Sequence, residues 1–182
     1  VPEEAVEITP AENAKMRIRM IDSVGYMVSG AVGAMEDEHP RMVATPWYDY
    51  EIPMTDAAEL GTKKVMEEHC TIGLVVTTDG SITDIPRQGY EEAEAQAIND
   101  MQKTGKPYLV IINSKNPSSP VAKQLKEELL KRHNISAYIA DCQALDVNDI
   151  QNIVVMAKEA FTKCQTQNEL LQEKANFLGK KG

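Results

Sequence analysis

No Gly-x-x-x-x-Gly-Lys-Ser/Thr stretch occurs anywhere in the 182 residues, so the loop whose amides and lysine would cradle a nucleotide's phosphates is not encoded here. Cysteine is scarce and scattered. Cys70, Cys142 and Cys164 are odd in number and form no Cys-x-x-Cys pair, which argues against a disulfide framework or a zinc knuckle and fits a reducing, cytoplasmic setting. Positive charge is in deficit: 19 basic residues against 28 acidic ones leave a net charge of -9. A field of that sign repels nucleic-acid phosphates and anionic headgroups, so neither is an expected general partner. It does not exclude a bound nucleotide, because backbone amides, a lysine and magnesium act locally. No apolar run approaches the roughly 18 residues that would span a bilayer, and the acidic start VPEEAVEITP carries no export signal. The chain begins with valine rather than methionine, which leads to the expectation of a piece cut from something longer.

Histidine is equally thin. His39, His69 and His133 are scattered, and no metal site is expected from them; His69 and His133 fall near helix C-termini, where the partial negative charge attracts them. No Ser-His-Asp or Cys-His signature supports nucleophilic catalysis. The acidic clusters EDEH at 36–39 and EEAE at 91–94 read as solvated loop and helix faces rather than magnesium ligands.

What the chain does hold is the material of one globular domain, 42% hydrophobic and 26% charged. Residues 16–22 alternate Met16, Ile18 and Met20 against Arg17 and Arg19, a period-two strand that could pair with Val6–Thr9 across PAEN. Three later runs, IGLVVTT (72–78), PYLVIIN (107–113) and AYIADC (137–142), are short and continuously apolar, as parallel strands covered on both faces would be. Before and between them lie helical patterns over 55–69, 91–105 and 119–134, with Gly105 and Asn134 placed to close two of them in the left-handed conformation. A last helix is expected over 147–163. The polar segment 164–182 either extends it or frays from it, so the expected organisation is a domain at 1–163 and a tail at 164–182. The order, two strands followed by alternating helices and strands, argues an α/β layered fold with right-handed crossovers. Residues 26–53 show no clear period and hold the only tryptophan, Trp47; a connection that long is usually functional or disordered, and its paired prolines and aromatics favour an ordered excursion.

The most informative stretch is RMIDSVGY, residues 19–26. It reads as a strand ending in Asp22, followed by the turn glycine Gly25. An Asp-x-x-Gly at a strand end can hold magnesium through water by its carboxylate and offer the glycine amide to a terminal phosphate. That is half of a nucleotide site.

The strings RMIDSVGYMVSGAVGAMEDEHPRMVATPWY, DAAELGTKK, TIGLVVTTDGSITDIPRQGYEEAE and GKPYLVIINS together resemble the ATPase domain of the stage IV sporulation protein A family, from about Val1 to about residue 160. The resemblance implies a P-loop NTPase-like three-layer domain with a mostly parallel sheet, akin to translation-factor GTPases but using ATP and magnesium. It also implies self-assembly into a polymer, other spore-coat proteins as partners, and a place in the mother-cell cytoplasm at the forespore surface, with the membrane reached only through regions not in this chain. Asp22 matches the metal-facing residue of the family, while the phosphate loop and sensor threonines have no residue here to carry them. Thr77 and Thr78 sit on a later strand and are not those sensors.

Guanine-specific relatives read their base with Asn-Lys-x-Asp; here the string is Asn113, Ser114, Lys115, Asn116. Without a carboxylate at 116 the bidentate acceptor for guanine is gone, which disfavours a GTP-driven switch and leaves Asn113, Ser114 and Asn116 as base-side candidates. Asn113 serves equally well as a strand-end residue capping its own turn. The family's first strand normally lies between the acidic strand and IGLVVTT, so the expectation is a fold missing a central stave. The reading is therefore an ATPase in the parent protein and an inactive fragment here, with a non-catalytic interaction module as the alternative.

Overall fold

The computed structural model describes residues 4–11 and 14–179. Three parallel strands form its centre: β7 (Gly73–Thr78), β8 (Tyr108–Asn113) and β9 (Ala137–Ala140), in the order β7-β8-β9. Val75 pairs with Val110, and Ile112 with both Thr77 and Ile139. Helices α2 (Glu91–Thr104) and α3 (Pro120–His133) bring Ile98, Met101, Leu125 and Leu129 against Val75, Val110, Ile112 and Ala137 on one face. Because strand side chains alternate, Leu109 and Ile111 point the other way, toward the face on which α4 (Val147–Gly179) packs over β8. Two helices thus lie on one side of the sheet and α4, over β8, on the other.

The helix ends obey their sequence. Gly105 and Asn134 adopt φ of 66° and 56° and close α2 and α3 as expected. Ser119 caps α3, its hydroxyl accepting from the Ala122 amide at 3.1 Å, with Pro120 at the first helical position. The last helix runs past residue 163 without a break to Gly179, and the Cys164 thiol donates to the Gly105 carbonyl at 3.1 Å.

Two features depart from the sequence reading. The strand expected over 16–22 is shorter: β2 (Ala14–Ile18) pairs antiparallel with β1 (Val6–Ala11), the ladder stops at the pair Val6–Ile18, and residues 19–22 are irregular. Met20 is 75% exposed, so the alternation marks no core face there. Glu12, Asn13 and the Met16 side chain lie outside the described residues. The parallel sheet consequently holds three strands, while β1 and β2 stand apart as a hairpin.

The second departure concerns cover. Strand β8 is buried, whereas β7 leaves Leu74 44% and Val76 58% exposed on the α4 side. It is an edge strand, and α4 lies over β8 rather than over it.

The stretch 26–53 is ordered, as its aromatics suggest. It contains the two-residue pair β3 (Met35–Glu36) and β4 (His39–Pro40), then the hairpin β5 (Met42–Thr45) and β6 (Tyr48–Pro53) leading into α1 (Met54–Lys64). Strands this short leave no readable period. Trp47 sits in the hairpin turn with its ring against Gly61 of α1, where an added Cβ would lie 3.3 Å from the indole. The helix then widens into a π-turn over Val65–His69, whose Met66 and Glu67 carbonyls accept from the Lys106 ammonium at 2.8 and 2.6 Å.

Candidate functional site

In open α/β sheets ligands bind beyond the carboxyl ends of the strands. There the chain builds a closed polar network. Asp79, immediately after β7, accepts from the Ser81 amide at 3.0 Å and hydroxyl at 2.6 Å, and from the Ser114 hydroxyl at 2.7 Å. Ser114 is fully buried after β8, and its oxygen also accepts from the Asn116 amide at 3.1 Å. The Lys115 amide donates to the Ser81 hydroxyl at 3.0 Å, tying the two strand-end loops together. Burial pushes the Asp79 pKa upward, but the donors from Ser81 and Ser114 outweigh it and hold the carboxyl below its ordinary value.

Asn113 does not cap its own turn but reaches the loop after β9, where its side-chain oxygen accepts from the Cys142 amide at 2.9 Å. Asn116 is exposed, and its oxygen accepts from the Ser118 amide at 3.2 Å in a local turn. The base-side candidates Asn113, Ser114 and Asn116 are therefore together, with much of their hydrogen-bonding capacity already engaged.

A second network stands beside this one. Glu94, read from sequence as part of a solvated acidic cluster, is buried: it accepts from the Thr77 hydroxyl and pairs with Arg87 at 2.6 Å. The signal missed was helical spacing, since Glu94 shares the inward face of α2 with Ile98 and Met101. Asp79 was missed too; an Asp-Gly-Ser directly after a buried apolar run marks a strand-end turn.

Asp22 lies elsewhere. Exposed and in irregular backbone, it lines a cavity of about 410 Å³ with Trp47, Gly61, Glu68 and His69. Those helix residues belong to the latter half of α1 and the π-turn, toward the end where β7 begins, whereas Asp79 and Ser114 lie where the strands finish. Gly25 has φ of 84°, and its amide donates to the Thr62 hydroxyl at 2.9 Å. Next to it the Tyr26 hydroxyl donates to buried Asp100 at 2.8 Å, and Lys103 and Lys63 approach the same carboxylate at 2.7 and 3.4 Å. Although burial pushes Asp100 upward, the Lys103 and Tyr26 hydrogen bonds and the Lys63 charge hold its pKa low. From there the chain rises to the other end, where the Ser29 amide donates to Gly89 carbonyl at 3.0 Å.

The structure thus brings Asn113, Ser114 and Asn116 together and keeps Asp22 and Gly25 away from them. ATP and magnesium do not fit these described residues as one site: the expected metal carboxylate and base-side loop face different ends of the sheet, and the Gly25 amide is spent on Thr62. Among the described residues no three His, Cys, Asp or Glu side chains cluster to hold a metal ion, and no helix is long and apolar enough to cross a membrane.

Comparison with known proteins decides the family. The sequence profile described as the ATPase domain of stage IV sporulation protein A matches residues 1–162. The chain belongs to the stage IV sporulation protein A family. It is 43% identical over 154 residues to the stage IV sporulation protein A of Bacillus anthracis, covering 85% of this chain and 31% of that protein. The Bacillus subtilis (strain 168) family member is 38% identical over 161 residues, 88% of this chain and 33% of the relative. For Clostridioides difficile (strain 630) the identity is 37% over 154 residues, 85% of this chain and 31% of the relative. The chain therefore spans about a third of the length of these stage IV sporulation proteins, and the family match ends within α4. No solved structure matches it significantly.

Proposed function

We propose that this chain is the later part of an ATPase domain in a sporulation protein that hydrolyses ATP to assemble the spore-coat basement on the forespore surface, with its own copies and other coat proteins as partners. The family match over residues 1–162 carries this reading. The tied loops after β7 and β8 support it from the fold side, since they form a rigid ledge at the strand ends where a base would rest, without a carboxylate at Asn116 to select guanine. The phosphates and magnesium need residues that this chain does not supply. By itself it is inactive.

The test is a titration of the chain with ATP and magnesium, followed by a phosphate-release assay. The expected result is binding no tighter than millimolar and no release above background. Turnover by this chain that disappears in Asp22→Ala would overturn it, because Asp22 would then reach the phosphates.

A second reading, an interaction module without turnover, is favoured by the apolar surface left open at Leu74, Val76, Trp47 and Tyr50. Loss of coat assembly on replacing Leu74 and Val76 by Ser, in a full-length relative that itself releases no phosphate from ATP, would select it.

A further inference from the structure

The cavity that Asp22 lines beside Trp47 has no ligand assigned to it above. Its floor is the indole, 42% exposed and held flat by Gly61, where an added Cβ would sit 3.3 Å from the ring. Val24 and Val65 add apolar wall, and Asp22 and Glu68 supply two carboxylates. Asp22 makes no ion pair or hydrogen bond among the described residues, while Glu68 is paired with Lys64 at 3.2 Å. The Lys64 ammonium also stands 5.9 Å from the centre of the Trp47 ring, so the molecule already places a cation of its own there. The cavity adjoins the C-terminal end of the α1 helix and its π-turn, where the backbone dipoles leave partial negative charge.

We propose that this cavity receives an arginine side chain from a partner polypeptide. A guanidinium stacks on an indole face and meets a carboxylate in its own plane, and its three-carbon stem suits apolar walls. Lys64 and His69 line the cavity too, but the Lys64 ammonium is already committed to Glu68, so a phosphate or carboxylate ligand would face the Asp22 carboxylate with little free positive charge to offset it. The volume of about 410 Å³ exceeds what one such side chain fills, which leaves room for the backbone that carries it. In the free chain Lys64 covers the ring and neutralises Glu68, and an incoming arginine displaces it.

Trp47 is the only tryptophan, so its fluorescence reports this cavity alone. The probe is the tripeptide acetyl-Gly-Arg-Gly-amide, with norleucine in place of arginine as control. The expected result is a saturable change in the millimolar range with the arginine peptide and none with norleucine. Asp22→Asn should weaken it about two- to fivefold, the usual worth of a solvent-exposed ion pair, and Lys64→Met should strengthen it by a similar factor. Circular dichroism checks that both variants remain folded. An equal response to norleucine, no response to arginine, or a midpoint that neither substitution moves would overturn the proposal.

Discussion

Ser114 shows how a polar residue becomes part of a core. Its hydroxyl both donates to Asp79 and serves the Asn116 amide, so Ser114→Ala leaves a partly buried carboxylate short of a donor and an amide without its acceptor. Urea denaturation should register a loss of about 1–3 kcal/mol with the m-value unchanged. The titration of Asp79 and Asp100 carries a further expectation. Both carboxyls are held below their ordinary value in the folded chain, so the native state binds fewer protons than the unfolded one. Their stabilisation is complete above the unfolded carboxyl range, near pH 4, and is lost as pH falls through the lower folded values. Asp79→Asn should flatten the acid limb of stability against pH, and a wild-type curve that stayed level below pH 4 would contradict this. Sequence pointed to Asn113, Ser114 and Asn116 because a family pattern placed them, but hydrogen-bond partners 26 to 35 residues away have no local trace. The Asp79–Ser114 bond went unread for that reason, whereas Glu94, with partners only 7 and 17 residues away, needed the inward face of α2 to be followed in the sequence.

At the scale of elements, the parts carrying their own punctuation were legible. Gly105 ended α2 and Asn134 ended α3 where the sequence marked them, because only the left-handed backbone there closes the last turn. Gly105→Ala forces a Cβ into that conformation and should cost about 1–2 kcal/mol, measured by thermal unfolding. Open space around the position makes it a test of backbone conformation alone, since an added Cβ meets nothing within 4 Å. The strand around Asp22 was misjudged for the complementary reason. Alternation describes which residues could share a face, but a strand needs a neighbour to bond to. β1 supplies partners only as far as Ile18, and the next residues bond sideways to helices through Gly25 and Tyr26.

For the whole molecule, the open side of β7 governs behaviour. In a parallel pair, alternate amides of an edge strand turn away from the sheet. Hydrogen exchange should therefore divide β7 into slow and fast amides along its six residues, while β8, bonded on both sides, stays protected along its length. In a longer piece of the same protein whose added chain pairs with β7, the fast set should become slow. Uniform protection of β7 in the present chain would mean that its edge is already covered. The sequence pointed to a missing neighbour beside this apolar run but also to cover on both of its faces, and the second expectation fails because cover depends on where α4 lies.

The length of α4 has a mechanical consequence. Cys164 is still anchored at Gly105, yet the helix continues to Gly179, and at 1.5 Å per residue that continuation measures about 22 Å. It is a rod that runs on past its anchorage, and α4 also touches β1. Dyes at Gln172 and Thr104 should report a separation governed by that rod, and Asn168→Pro, which breaks the rod just past its anchorage, should shorten and broaden the distance distribution while leaving the sheet untouched.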